Sequence, residues 1–196
     1  MPFRAVVVRA TVLSLVAAMP AAPAASEVVL HLQPDSSRVE YHIEHSIAAV
    51  TDLAGTPSGE LRATATDAGV ALAGRVEVDL RALQTGISQR DQHIRSAEYL
   101  DVEHHPTARF VLEAVQPDSG DTTATRARGT LQLHGVERPL ELPVTLQWSG
   151  APGQSPLHVA GRFVLRLADH GIKRPKKLLF AAGKTVDVRL DLRFAP

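Results

Sequence analysis

The sequence predicts an all-β domain, a sandwich or a closed barrel, on three observations. Apolar and polar residues alternate with a period of two in at least eight short segments. Turn-forming clusters separate those segments, and no long stretch after residue 25 follows the helical period. Strict alternation means a strand with one buried and one wet face. Eight or more such strands must hide their apolar faces against one another, and closing the sheet also removes its aggregation-prone edges.

Taken in order, residues 1–25 read as a cleaved signal peptide. Arg4 and Arg9 supply a positive start, Ala10 to Met19 an apolar stretch of about ten residues, and Ala22-Pro23-Ala24 a small-x-small cleavage pattern. The apolar stretch is too short for a spanning helix, which needs roughly 20 residues. Residues 26–196 are then one exported domain, periplasmic or secreted.

Within it, Val28-Leu30-Leu32, Val39-Tyr41-Ile43 and Leu61-Ala63-Ala65 give the first strand faces. Leu72, Val76, Val78 and Leu80 oppose Arg75, Glu77, Asp79 and Arg81. The next faces are Phe110-Leu112-Ala114 and Leu131-Leu133. Leu140, Leu142, Val144, Leu146 and Trp148 continue the pattern, interrupted by Pro143 on the polar side. Proline has no N–H for a neighbour, so that strand is expected at an edge, bulged or bent there. Leu157, Val159, Phe163, Leu165 and Leu167 form one more face, and Val186, Val188, Leu190, Leu192 and Phe194 the last. The turns fall at Pro34-Asp35, Pro57-Ser58-Gly59, Asp67-Ala68-Gly69, Pro117 to Gly120 and Ser149-Gly150. One short helix is expected over Ser88–Ala97. Ser88 would cap it, Asp91 would act as the acid of a capping box, Arg95 would pair with Asp91 one turn on, and Ile94 and Ala97 would face the sheet.

Composition removes several functions. Loss of residues 1–25 takes away two arginines and no acid, leaving a slight acidic excess. That argues against nucleic acid, which requires a basic face. The chain has no cysteine, so thiol chemistry, disulfides and Cys-based zinc sites are excluded.

The densest chemistry lies in RDQHIRSAEYLDVEHHP, residues 90–106, where His93, His104 and His105 stand among Asp91, Glu98, Asp101 and Glu103. A metal site needs converging ligands, but adjacent His104 and His105 point oppositely in an extended segment. No HExxH, HxH or HxxxH spacing occurs. Ser46 beside His45 carries no sign of a strained nucleophile turn. A structural role, a capped helix followed by a polar connection, leads. A metal-dependent or acid/base enzyme built on His93, His104 or His105 with Asp91 or Asp101 is the rival. A second charged run, Lys173, Arg174, Lys176 and Lys177, suits either a solvated loop or contact with an anionic head group or membrane surface.

These residues resemble a family. TGISQRDQHIRSAEYLDVEHHPTARF carries Thr85, Gly86, Arg90, Asp91, His93, Ser96, Tyr99, Asp101, Pro106 and Phe110 in the pattern of the YceI-like proteins, exported lipocalin-like domains associated with isoprenoid lipids. GTLQLHGVERPLELPV adds Gly129, Leu131, Gly135, Val136 and Pro139, and RLADHGI adds Arg166, Asp169, Gly171 and Ile172. The three motifs stand in order between Thr85 and Ile172, and the matches as a whole run from about Ser37 to the C-terminus. Departures occur where the family commonly has His, Phe, Ser and Phe: here Ser36, Tyr41, Leu112 and His170.

The resemblance implies an eight-stranded antiparallel lipocalin-like barrel with one short helix near an end and a long apolar lumen. It implies a non-enzymatic carrier for an elongated apolar lipid, polyisoprenoid or quinone-like, with no cofactor and at most transient contact with a membrane surface. The expected lumen contacts are Val39, Tyr41, Ile43, Val76, Val78, Leu131, Leu133, Leu142, Val144, Phe163 and Leu165. Lys173, Arg174 and Lys176 are the candidates for a polar head group. A filled barrel acting as an interaction module would show the same alternation.

Overall fold

The structure, a computed structural model, describes residues 27–44, 50–118, 121–173 and 184–196. Residues 1–25, His45, Ser46, Arg174, Lys176 and Lys177 therefore lie outside the described residues. Among these, ten strands form one antiparallel sheet: β1 (Glu27–Leu32), β2 (Arg38–Glu44), β3 (Val50–Gly55), β4 (Pro57–Thr66), β5 (Gly69–Asp79), β6 (Thr107–Asp118), β7 (Asp121–Leu133), β8 (Val136–Trp148), β9 (Leu157–Arg166) and β10 (Thr185–Ala195).

Two interruptions reduce the ten to eight barrel staves. β1 and β2 are one strand broken at Gln33–Ser37, and β3 and β4 are one strand separated only by Thr56. β2 pairs with β3 and β1 with β4, so the two broken strands lie side by side. The ring continues through β5, β6, β7, β8, β9 and β10. β10 then closes it, pairing with β2 over Asp187–Asp191 and with β1 at His31↔Ala195 and Leu32↔Phe194. The result is a closed eight-stranded antiparallel β-barrel with one short α-helix. Apolar alternation fills its interior, with Leu30, Leu157 and Phe194 essentially inaccessible at one end.

The break in the β1/β2 stave is held by Arg193. Its N–H donates to the Ser37 hydroxyl oxygen at 2.9 Å. Its carbonyl accepts from Gln33 N–H at 2.8 Å and, more weakly, from the Ser37 hydroxyl at 3.4 Å. Ser37 is buried, so these bonds replace the ladder the interruption removes.

Three local features shape the wall. Gly59 and Gly74 flank the Glu60↔Arg75 pair on β4 and β5 with φ of 152° each, and a Cβ at either would overlap a backbone carbonyl of the other strand, Arg75 or Glu60. A register shift between Leu112 and Ala114 puts a bulge in β6. Inward faces therefore run Phe110, Leu112, Val115, and the expected Ala114 is displaced from that row. The β8–β9 ladder runs only from Val144↔Gly161 to Trp148↔Leu157, although both strands continue. It stops at Pro143, whose carbonyl oxygen lies toward Gly161. The alternation of backbone groups turns Pro139 the same way, so two of the three positions 139, 141 and 143 that face β9 lack a donor. The expectation from Pro143 is realised inside a closed ring: β8 keeps β7 on one side and loses β9 on the other.

Side chains bridge that gap at its end. His170 Nδ1 contacts the Val136 carbonyl at 3.3 Å, His134 Nδ1 the His170 carbonyl at 3.1 Å, and Arg138 Nε donates to the Asp169 carbonyl at 3.2 Å. A carbonyl only accepts, so both Nδ1 atoms carry the proton.

α1 spans Ser88–Arg95, shorter than the expected Ser88–Ala97, and two of its contacts differ from the sequence reading. Ile87, not Ser88, is the N-cap residue, and it makes no side-chain cap. Asp91 is buried and turns back to the preceding loop, where its carboxylate accepts from Thr85 N–H at 2.8 Å and Thr85 Oγ1 at 2.6 Å. Those bonds hold its pKa below the usual carboxylate range. Arg95 does not bond the Asp91 carboxylate: it donates to the Asp91 carbonyl at 3.1 Å and to the Arg81 carbonyl at 2.7 Å. Ala97 is exposed, and Ile94 with Tyr99 and Leu100 faces the barrel instead. The connection to β6 is tied by Asp101, in a positive-φ turn, to His104 Nδ1 at 2.9 Å. That contact lowers the Asp101 pKa and raises that of His104.

Replacing Ser37 by Ala leaves the Arg193 N–H without its partner inside the wall. The expected cost is about 1–2 kcal/mol, read as a loss of about 2–8 °C in thermal melting. An unchanged midpoint would show that the ring closes without this bond. The Asp101–His104 contact predicts a pH signature. A His whose pKa is raised on folding contributes fully below its ordinary range near about 6.5 and loses that contribution as pH rises through the raised value. Asp101 stays ionised over this window. His104→Gln should therefore melt below wild type near about pH 5.5, and the two curves should converge by about pH 8.5. A difference independent of pH would assign the effect to packing.

Candidate functional site: an apolar lumen

Inward alternation on every stave leaves a cavity of about 210 Å³ inside the barrel. All eleven positions expected on the lumen line it: Val39, Tyr41 and Ile43 from β2, Val76 and Val78 from β5, Leu131 and Leu133 from β7, Leu142 and Val144 from β8, Phe163 and Leu165 from β9. The period of two delivers this, because residues two apart stand on one face of a strand.

The lining is larger than that set. Leu80, Leu83, Ile94, Tyr99, Leu100, Leu167 and Ile172 close the α1 end, contributed by the helix, the connections around it and the turn after β9. Buried Leu80, Leu83, Val102, Leu131, Leu133 and Ile172 form a second apolar cluster beneath them, beside the main barrel core. Leu80 and Leu167 continue alternating rows of the sequence, Ile94 is the helix residue expected to face the sheet, and Ile172 belongs to a family-matching motif. Leu83, Tyr99 and Leu100 were not expected on the lumen, because they lie in short irregular segments that show no period. The family-matching stretch around Tyr99 was the only available signal.

Charge reaches the lining at one described place. Lys173, just beyond β9 and its following turn, lines the cavity. Tyr41 and Tyr99 supply the phenols. Burial raises the pKa of Tyr99, aided by Glu98, to which its hydroxyl is bonded. Burial alone raises that of Tyr41, well above the ordinary phenol range.

Of the titratable residues of the enzymatic alternative, only His104 and Asp101 are brought into contact, at the surface and away from the lumen lining. His93 packs on the Tyr99 ring with centroids 4.8 Å apart, His104 bonds Asp101, and His105 meets the His134 ring edge-on at 5.1 Å. Asp91 is occupied by Thr85. Among the described residues, no group of three or more His, Asp or Glu is placed to hold a metal ion. The outer wall carries cross-strand ion pairs, Arg109–Glu77 at 2.7 Å, Arg162–Asp187 at 2.9 Å and His158–Asp191 at 2.8 Å. Solvent weakens such pairs, and their arrangement is that of a wetted face.

Known proteins place this geometry. A UPF0312 protein of Pseudomonas putida (strain W619) is 35% identical over 124 residues, 61% of this chain and 62% of that one. One from Pseudomonas syringae pv. syringae is 37% identical over 113 residues, 56% and 58% of the two chains. The chain thus matches about six tenths of the length of these curated relatives. Among solved structures, Burkholderia cenocepacia BcnA superposes with a TM-score of 0.70 at 18% identity, covering 83% of this chain and 98% of that one. A polyisoprenoid binding domain from Saccharophagus degradans gives 0.62 at 16% identity, covering 85% and 98%. At those identities the superpositions establish the barrel alone. The YceI-like domain description matches residues 30–194, from the first buried leucine of β1 to the last buried aromatic of β10, and the chain belongs to the YceI-like family.

Proposed function

We propose that this protein is a non-catalytic, exported carrier that sequesters an elongated apolar lipid, isoprenoid or quinone-like, in the barrel lumen. The observation that carries the reading is one continuous apolar lining, contributed by strands all round the ring and ending at Lys173. Burying a lipid chain there supplies the driving force, at about 25 cal/mol per Å² of apolar surface. The polyisoprenoid-binding description of the Saccharophagus degradans neighbour supports the same class of ligand. No step of bond chemistry is assigned, since the carboxylates and histidines of residues 90–106 serve separate local contacts. The expectation that residues 1–25 are a cleaved signal peptide is in keeping with periplasmic or secreted delivery, where a water-insoluble ligand needs a carrier.

The direct test is mass spectrometry of an organic-solvent extract of the native protein, with metal analysis of the same sample. An isoprenoid lipid near stoichiometry is expected; a stoichiometric metal without lipid would favour the enzyme. A filled barrel is separated by Val76→Trp. Val76 retains partial exposure and lines the cavity, whereas Val78 is buried with its side chain against Gly55. In a ligand-bearing lumen the indole occupies ligand space, so uptake of a fluorescent prenyl probe should fall more than about tenfold while the empty protein melts within a few degrees of wild type. In a filled core the same change costs about 1–3 kcal/mol by overpacking, and wild type takes up no probe.

The basic run that begins at Lys173, on the cavity lining, gives a second measurement. Replacing Lys173, Arg174, Lys176 and Lys177 by Gln should weaken a prenyl phosphate about tenfold or more and leave the matching prenyl alcohol nearly unchanged. The difference should shrink in high salt, because exposed charges are screened within about 8 Å at physiological ionic strength. Equal loss for both ligands would indicate damage to the rim and remove the head-group assignment.

A further inference from the structure

Among the described residues, the strand-borne lining of the lumen carries one hydroxyl with no partner. Tyr41 sits near the middle of β2, its backbone opposite Leu53 of β3 and Val188 of β10. Its side chain shares the inward row of Val39 and Ile43 and packs against both apolar clusters. Among the described residues nothing hydrogen-bonds its hydroxyl. The Tyr99 phenol, by contrast, has Glu98.

Where that hydroxyl opens follows from two facts. No fully enclosed side-chain oxygen among the described residues lacks a partner, so the Tyr41 oxygen borders open space. Burial nonetheless pushes its pKa up, which a hydroxyl standing in bulk water would not undergo. The space it borders is the cavity. A phenol aimed into an apolar chamber carries a desolvation penalty that phenylalanine at the same position would avoid. The penalty is relieved when a ligand brings an acceptor.

We infer that Tyr41 is the polar recognition point of the lumen, donating a hydrogen bond to a neutral oxygen acceptor, a carbonyl above all, on the bound lipid. The inference rests on the carrier reading and narrows it, from any apolar chain to one that carries a neutral oxygen into the barrel. An anionic group is the wrong partner at that depth, because the surrounding walls are Val, Leu, Ile and Phe and an unpaired buried charge is far more costly than a buried carbonyl. Anionic groups belong at the mouth with Lys173. The two contacts differ in kind: the mouth is sensitive to salt, and the Tyr41 bond is not.

The test uses two probes of similar chain, farnesylacetone, a ketone, and farnesene, a hydrocarbon, titrated into delipidated wild type and Tyr41→Phe. Wild type should bind both. Tyr41→Phe should bind farnesylacetone about tenfold more weakly, the size of one net hydrogen bond, and farnesene at least as well as wild type. The infrared carbonyl band of the bound ketone should move to lower frequency in wild type and not in the variant. Empty Tyr41→Phe should melt no lower than wild type, since it loses no bond. Equal ketone affinity in the two proteins, or an unshifted carbonyl band in wild type, overturns the inference while farnesene binding leaves the carrier reading standing. Binding of neither probe by wild type overturns both.

Discussion

The whole structure depends on a ring of strands being closed by a strand that is itself broken. The β1/β2 stave must satisfy β3 and β4 on one edge and β10 on the other, and the chain achieves this by changing register at Gln33–Ser37. An interruption inside a barrel wall would ordinarily leave backbone groups of the neighbouring strand unpaired, which is costly away from water. Ser37 and Gln33 take over those groups on Arg193. Without that substitution the apolar rows of β1 and β10 would border an open seam, and there would be no chamber to discuss.

Closure also explains why the wall is not uniform. A sheet curled into a barrel must bend sharply somewhere, and bends come from missing side chains, bulges and missing donors. Here Gly59 and Gly74 let β4 and β5 approach closely at the carbonyls of Arg75 and Glu60, the bulge after Leu112 turns β6, and Pro143 ends the β8–β9 ladder. The ladder lost beyond Pro143 is replaced by contacts of His134, Arg138 and His170 with backbone carbonyls.

The lumen has two unequal ends. One is packed solid by Leu30, Leu157 and Phe194. The other is roofed by α1 and the segments around it, where Asp91, Thr85, Arg95 and Asp101 bind the roof to itself rather than to any ligand. Polar density beside an apolar chamber thus has a mechanical purpose: it orders an irregular roof whose inner side, Ile94, Tyr99 and Leu100, remains apolar. Lys173 joins that end, so the chamber is graded from sealed hydrocarbon to a basic rim.

The sequence by itself determined the class of fold and the identity of the lining strands. Period-two alternation is a property of neighbouring residues, and Val76, Val78, Leu142 and Val144 face inward whichever strand becomes their partner. The ordered motifs from Thr85 to Ile172 carried the barrel and the ligand class by family likeness. What tertiary structure decided were the features made by residues far apart in the chain. Ser37 meets Arg193 only when the ring closes, and Asp91 chooses Thr85 over the helix it belongs to because burial demands two donors. The Ala114 row slips by one where β6 bulges against β7, a register effect invisible along one strand. The roof residues Leu83 and Ile172 follow no period at all, so only the folded chain gathers them with Leu80 over the lumen. Tyr41 shows both halves at once: alternation turned it inward, but only packing on all sides decided that its hydroxyl would find no partner there.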